Sequence, residues 1–220
     1  MEVFRLENIL FSYPNGIEVF RDLSLSVSEG EFLLVAGDNG SGKTTLLLIM
    51  AGLLFPQRGN VIFCGKPLTE KDLERGDFAL DFRRRVGLLF QEPDIQLFSP
   101  TVGQDIAFGP QNLGLPDVRE RVGRASATMG LAGLLERPPY SLSWGQKKRA
   151  AIATVLSADH DVLLLDEPTA GLDSRWRERL ISTLAELSSA GKTMVVVAHD
   201  EPGLEPLANR KVILPGPKEP

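Results

Sequence analysis

Two carboxylates side by side, Asp166 and Glu167, close the apolar run in VLLLDEPTAGLD. Acids abutting a buried strand are costly unless they work, because a charge loses its hydration there. Upstream, VAGDNGSGKTTLL fits the pattern G-x-x-x-x-G-K-[ST] over residues 37–44, directly after a predicted strand and before a predicted helix. Gly37, Gly40 and Gly42 let the backbone turn so that N–H groups of the loop, running through Asp38, Asn39 and Ser41, point inward at phosphate oxygens. Lys43 places positive charge on the β- and γ-phosphates, and Thr44, with Thr45 next to it, offers a hydroxyl to Mg²⁺. The helix N-terminus adds its partial positive charge. The pattern predicts that the chain binds a nucleoside triphosphate.

Two further polar residues follow strand-like runs, Gln91 after VGLLF and His199 after VVVA. In open α/β sheets ligands bind beyond the C-terminal ends of the strands, so these residues should converge with the phosphate loop. Asp166 is then expected to hold Mg²⁺ through water, beside Thr44, with Gln91 touching both metal and water. Glu167 is placed to polarise an attacking water, and His199 to orient that water and the γ-phosphate. His160, in the polar loop SADHD, reads as a surface residue or a cap.

The elements that must position these groups are legible as FLLVAG, RVGLLFQ, VLLLDE and MVVVAH. Continuous apolar runs of this kind suit strands buried on both faces of a parallel sheet. Helical stretches over 43–51, 146–156 and 175–190 separate them, which predicts an α/β fold. The first segment, EVFRLENILFSYPNGIEVFRDLSLSV, alternates apolar and polar residues around PNG and predicts antiparallel strands joined by a turn. Residues 93–156 are rich in helix formers and read as an inserted helical subdomain, leaving 1–92 and 157–220 as the α/β core with its β subdomain.

Composition narrows the function. Of 220 residues 43 % are hydrophobic, enough for a sizeable core, and the net charge of -5 argues against a general nucleic-acid binder. One cysteine excludes a disulfide within the chain and points to a reducing compartment. The N-terminus has no signal-peptide pattern, and LLLIMAGLLF is well short of a membrane span, so a membrane role would come through a partner.

Taken in order, the phosphate loop, Gln91, LSWGQ, LLLDEP, AGLD and His199 closely resemble the ATP-binding subunits of ABC transporters, over nearly the whole chain. The resemblance implies a P-loop NTPase core and a dimer that sandwiches ATP between two chains, identical or paralogous. It implies that Tyr13 stacks on adenine, that Ser143 and Gly145 meet the γ-phosphate of ATP bound to the other subunit, and that Asp173 couples the two sites. The stretch FQEPDIQLFSPTVGQDIAFGPQNLGL is similar to that of the energy-coupling-factor and cobalt/nickel importer ATPases. That implies a peripheral position on the inner face of the cell membrane, with an integral coupling subunit and a membrane-embedded cargo-binding subunit as partners. The cargo, whether cobalt, nickel or a vitamin, stays open.

Two departures from the family pattern stand out. Trp144 replaces the first glycine of the usual Leu-Ser-Gly-Gly-Gln, and is expected either at the dimer face beside the partner's nucleotide or over the subdomain's own apolar surface. The short remainder after His199, ending LPGPKEP, implies that dimerisation leans on ATP. A soluble ABC-type ATPase in DNA repair or translation is the competing reading, and a sensor without turnover ranks below it.

Overall fold

The computed structural model describes residues 1–199 and 202–216. The last four residues of the LPGPKEP tail lie outside them. Strands β1 (Glu2–Ser12) and β2 (Glu18–Ser28) form the expected antiparallel hairpin. Its turn is closed by Tyr13 N–H donating to Ile17 O and Gly16 N–H to Tyr13 O, each 2.9 Å. Phe4 and Leu6 are buried on β1 by the two-residue alternation, and after a register shift around Asn8 Ile9 and Phe11 are buried in turn.

Strand β3 (Phe32–Gly37) leads through the phosphate loop into α1 (Lys43–Met50). Strands β4 (Arg58–Phe63) and β5 (Lys66–Pro67) then join the hairpin, giving the order β2-β1-β4-β5. Helices α2 (Glu70–Glu74) and α3 (Asp77–Arg85) lead to β6 (Val86–Leu89). Sequence patterning had not separated the elements from β4 to α3: they are short, and β4 starts with three exposed residues.

Residues 93–156 contain α4 (Pro93–Gln96), α5 (Val102–Asn112), α6 (Val118–Thr128) and most of α7 (Trp144–Ala158), and no strand. Helix α7 runs on to Ala158, so one rod joins the helical segment to the sheet. Strand β7 (Val162–Asp166), α8 (Ser174–Ser189), β8 (Thr193–Val197) and β9 (Arg210–Leu214) complete the described chain.

The second sheet has the order β6-β7-β8-β3-β9 and is parallel at every pairing. All five residues of β7 and all five of β8 are buried, which is why these strands read as unbroken apolar runs. The pleat nonetheless sorts them by face. Val162, Leu164, Val195 and Val197 join the core shared with α1 and the antiparallel sheet. Leu163, Leu165, Met194 and Val196 face the other way, onto α7 and α8. A protein with two cores on one sheet holds the strand ends rigidly, and the functional groups are at those ends.

Candidate nucleotide site

Sheet order decides the geometry of the site. Because β3 lies beside β8, and β8 beside β7, the phosphate loop, His199 and the Asp166–Glu167 pair emerge at one edge of the sheet. Together with Tyr13, Gln91 and the loop they line a cleft of about 360 Å³.

The start of α1 is built for an anion. Gly42, its N-cap, has φ +91°, and a Cβ there would come within 2.4 Å of Val19 and 2.9 Å of the Phe20 ring. No side chain caps the helix and no acid lies in its first turn, so its leading N–H groups are left for an incoming ligand. The Lys43 ammonium folds back on the loop, donating to Gly37 O (2.8 Å), Asp38 O (2.9 Å) and His199 Nε2 (3.2 Å). An ammonium has no acceptor, so Nε2 accepts and the His199 proton resides on Nδ1. Ser41 Oγ is buried inside the loop without a partner among the described residues.

Thr44 Oγ1 donates to Asp166 Oδ2 at 2.7 Å, while Asp166 Oδ1 is buried and has no partner among the described residues. Burial raises the pKa of this carboxyl; the Thr44 hydrogen bond and the charges of Lys148 and Lys43 act against it. A hydroxyl, a carboxylate with a vacant oxygen and the Gln91 amide make an all-oxygen donor set of the kind Mg²⁺ takes. Among the described residues no three of His, Cys, Asp and Glu cluster, so any metal here must share its coordination with phosphate and water.

Glu167 sits at φ +46°, a left-handed conformation that glutamate rarely adopts. Its N–H is fixed to Val197 O at 3.0 Å, so the strained residue is held by the neighbouring strand. Burial raises the pKa of its carboxyl, opposed first by a hydrogen bond from the His199 backbone N–H. A carboxylate with a raised pKa is the stronger base, which suits proton removal from water.

Tyr13 donates or accepts a hydrogen bond with Thr45 Oγ1 at 3.0 Å and packs edge-on to Phe11. Its ring shares the cleft wall with Ile17 and Val19, two apolar residues that motif reading passed over. Such walls follow no motif, since any apolar residue at the mouth of the hairpin can provide them.

Lys148 was also passed over. It is fully buried, and its ammonium donates to the carbonyls of Phe90 (3.2 Å), Gln91 (2.9 Å) and Asp166 (3.3 Å). Its pKa falls from 10.5 to about 8 because burial outweighs attraction to Asp166, Glu167 and Glu92. One side chain from α7 thus ties the backbone behind Gln91 to the backbone behind Asp166. Lysine in a run of basic residues reads as solvated surface until the helix's buried face is known.

Ser143, Gly145 and Asp173 lie outside this cleft. Ser143 is spent locally in a capping box: its Oγ accepts from Gln146 N–H, and Gln146 Oε1 accepts from Ser143 N–H. Asp173 caps α8 through Trp176 N–H at 3.0 Å. Trp144, expected at the dimer face or over the subdomain's own surface, makes one close contact that neither expectation named. Its ring rests on Gly171 of the same chain, with 39 % of the residue exposed. His160, expected as a surface residue or a cap, is half-buried and caps the last turn of α3. Its Nδ1–H donates to Arg84 O at 2.9 Å and its ring lies over Gly87.

A family profile described as ABC transporter matches residues 20–170. The chain belongs to the ABC transporter family. A putative ABC transporter ATP-binding protein of Gloeobacter violaceus is 50 % identical over 91 % of this chain and 80 % of its own length. The energy-coupling factor transporter ATP-binding protein EcfA of Methanocaldococcus jannaschii is 42 % identical over 91 % of this chain and 71 % of its own. Among solved structures, CbiO1 from Clostridium perfringens, part of the ABC transporter complex CbiONQ, superposes with TM-score 0.78 at 34 % identity. The match covers 97 % of this chain and 84 % of that one. An ATP-binding cassette dimer in a post-hydrolysis state with ADP and phosphate gives TM-score 0.85 at 27 % identity over 96 % and 94 % of the two chains. This ABC-type ATPase is therefore the ATP-binding subunit of an ABC transporter, with EcfA and CbiO1 among its relatives. No helix among its described residues is long and apolar enough to cross a membrane.

Proposed function

We propose that this subunit hydrolyses Mg-ATP to drive an energy-coupling-factor importer, taking up cobalt, nickel or a vitamin. The observation that carries the chemistry is the convergence of Lys43, Thr44, Gln91, Asp166, Glu167 and His199 on one cleft. The adenine lies against Tyr13, between Ile17 and Val19, and the phosphates enter the loop formed by residues 37–45. There Lys43 exchanges its two loop carbonyls for phosphate oxygens, and the uncapped start of α1 supplies N–H donors. Thr44 and Asp166, with Gln91, would hold Mg²⁺, which when bound would neutralise charge developing on the phosphates. Glu167 takes the proton of the attacking water. His199, whose Nε2 meets Lys43 and whose backbone N–H holds the Glu167 carboxylate, orients water and γ-phosphate together.

Ser143 and Gly145 lie outside their own cleft, which supports the reading that they complete the cleft of a second ATPase chain, identical or paralogous. Residues 93–156 are the helical subdomain that receives the membrane partner. Exposed Ile95, Phe98 and Phe108, the last two stacked edge-on at 4.8 Å, form the apolar surface for a cytoplasmic helix of an integral coupling subunit. That subunit would hold the ATPase on the inner face of the membrane beside a membrane-embedded cargo-binding subunit. The named EcfA relatives, covering more than nine-tenths of this chain, support the subfamily, and the net charge of -5 favours no nucleic-acid partner.

The test is capture of tagged Glu167→Gln protein with ATP from detergent-solubilised membranes of the source cell, followed by mass spectrometry. Recovery of an integral membrane protein with a small membrane-embedded companion is the expected result. Reproducible recovery of soluble proteins or nucleic acid alone would overturn the transport reading and leave the ATPase.

A further inference from the structure

The chain's two tryptophans, Trp144 and Trp176, lie on one seam, where the helical segment meets the loop between β7 and α8. Trp144 is the first residue of α7, and its ring covers Gly171 so closely that a Cβ there would fall 1.8 Å from Cζ3 and 2.3 Å from Cε3. Gly171 has φ +67°, so the loop turns where the ring needs room. Next to it, a Cβ on Gly145 would meet Gly171 O at 3.3 Å, so the two backbones also pass closely. Trp176, in the first turn of α8, presses in the same way on Gly130, at the end of α6, where a Cβ would lie 2.0 Å from its Cη2. Arg149 of α7 stacks on that ring at 4.2 Å while donating to the carbonyls of Met129 and Gly130. Asp173 lies between the two contacts, with Leu172 buried before it.

We propose that Trp144, matched by Gly171, is a positioning residue that clamps the loop carrying Asp173 to the turn carrying Ser143 and Gly145. These residues then move as one rigid edge. The glycine that usually stands in place of Trp144 has no ring to make this contact, so here the edge is pre-assembled rather than formed only when two chains close. What the edge faces rests on the ATP-sandwich reading above. The clamp itself lies within one chain and is testable without nucleotide.

The experiment is a double-mutant cycle of Trp144→Gly and Gly171→Ala, read by amide hydrogen exchange in nucleotide-free protein and by steady-state ATP hydrolysis. Trp144→Gly should raise exchange at residues 170–173 about tenfold. Gly171→Ala should lower kcat at least tenfold in the presence of Trp144, because its methyl takes the ring's place. In the Trp144→Gly background the same alanine should cost less than threefold, since the clash with the ring is gone and only its φ penalty remains. KM should stay within twofold throughout, because neither Trp144 nor Gly171 lines the cleft of its own chain. In a Trp176→Phe background Trp144 is the sole tryptophan, and Gly171→Ala should increase its quenching by acrylamide. Additive effects on kcat, or unchanged exchange in Trp144→Gly, overturn the clamp. If wild-type protein hydrolyses no ATP, the functional reading fails, while exchange and quenching still decide the clamp.

Discussion

Replacing Lys148 with methionine keeps much of the side chain's length and removes its ammonium. Three carbonyls, those of Phe90, Gln91 and Asp166, then lose the donor that the buried lysine supplies. At about 1–2 kcal/mol for each buried acceptor left alone, the loss is about 3–6 kcal/mol. Against this, the lysine is itself held at a cost: the fall of its pKa from 10.5 to about 8 corresponds to about 3 kcal/mol, which an apolar side chain recovers. The net destabilisation is therefore at most about 3 kcal/mol, a fall in melting temperature of up to about 10 °C for a chain of this size. Catalysis should suffer more than stability, since the backbone segments behind Gln91 and Asp166 lose their common tether. Differential scanning fluorimetry, ATP binding in EDTA and a Mg²⁺ titration of hydrolysis separate the effects. Affinity for metal-free ATP should be unchanged, the half-saturating Mg²⁺ concentration should rise several-fold, and kcat should fall at least tenfold. A variant with wild-type melting temperature, kcat and Mg²⁺ dependence would refute the reasoning.

Glu167→Gln should bind Mg-ATP but hydrolyse it more slowly than wild type by about 10² or more, the contribution of a positioned base; near-normal single-turnover rates would remove Glu167 from that role. Gly42→Ala should abolish nucleotide binding measured by calorimetry, because its methyl meets Val19 and Phe20 at 2.4 and 2.9 Å in a backbone conformation alanine resists. Wild-type affinity there would mean that the loop adapts. The pKa of His160 lies below 6.5, chiefly from burial and with Lys192 adding to it, although the Arg84 carbonyl, Asp159 and Asp161 pull the other way. The unfolded chain thus binds a proton in a window where the native one does not. The stability that depends on neutral His160 is complete above pH 6.5 and is lost as pH falls toward the lower native value. Urea midpoints from about pH 5 to 8 should show His160→Gln losing this slope, and parallel curves for the two proteins would contradict it.

The sequence by itself determined the elements that have a strong local signature. The phosphate loop is set by the backbone needs of its glycines and by one lysine. Strands β7 and β8 are set by apolar runs that no solvated element could carry, and the first hairpin by alternation around PNG. Asp166 and Glu167 were legible because acids next to such a run demand an explanation. Tertiary structure decided what depends on partners distant in the chain. That His199 meets Lys43, and Thr44 meets Asp166, follows from β3 inserting beside β8, an order no local pattern encodes. Lys148 looked like one of three basic residues on a helix until the fold buried it against three carbonyls. Trp144 is legible as an oddity in LSWGQ, but its partner Gly171 lies beyond an intervening helix and strand. Side-chain periodicity reports which face of an element is buried, and only the packed fold supplies what that face is buried against.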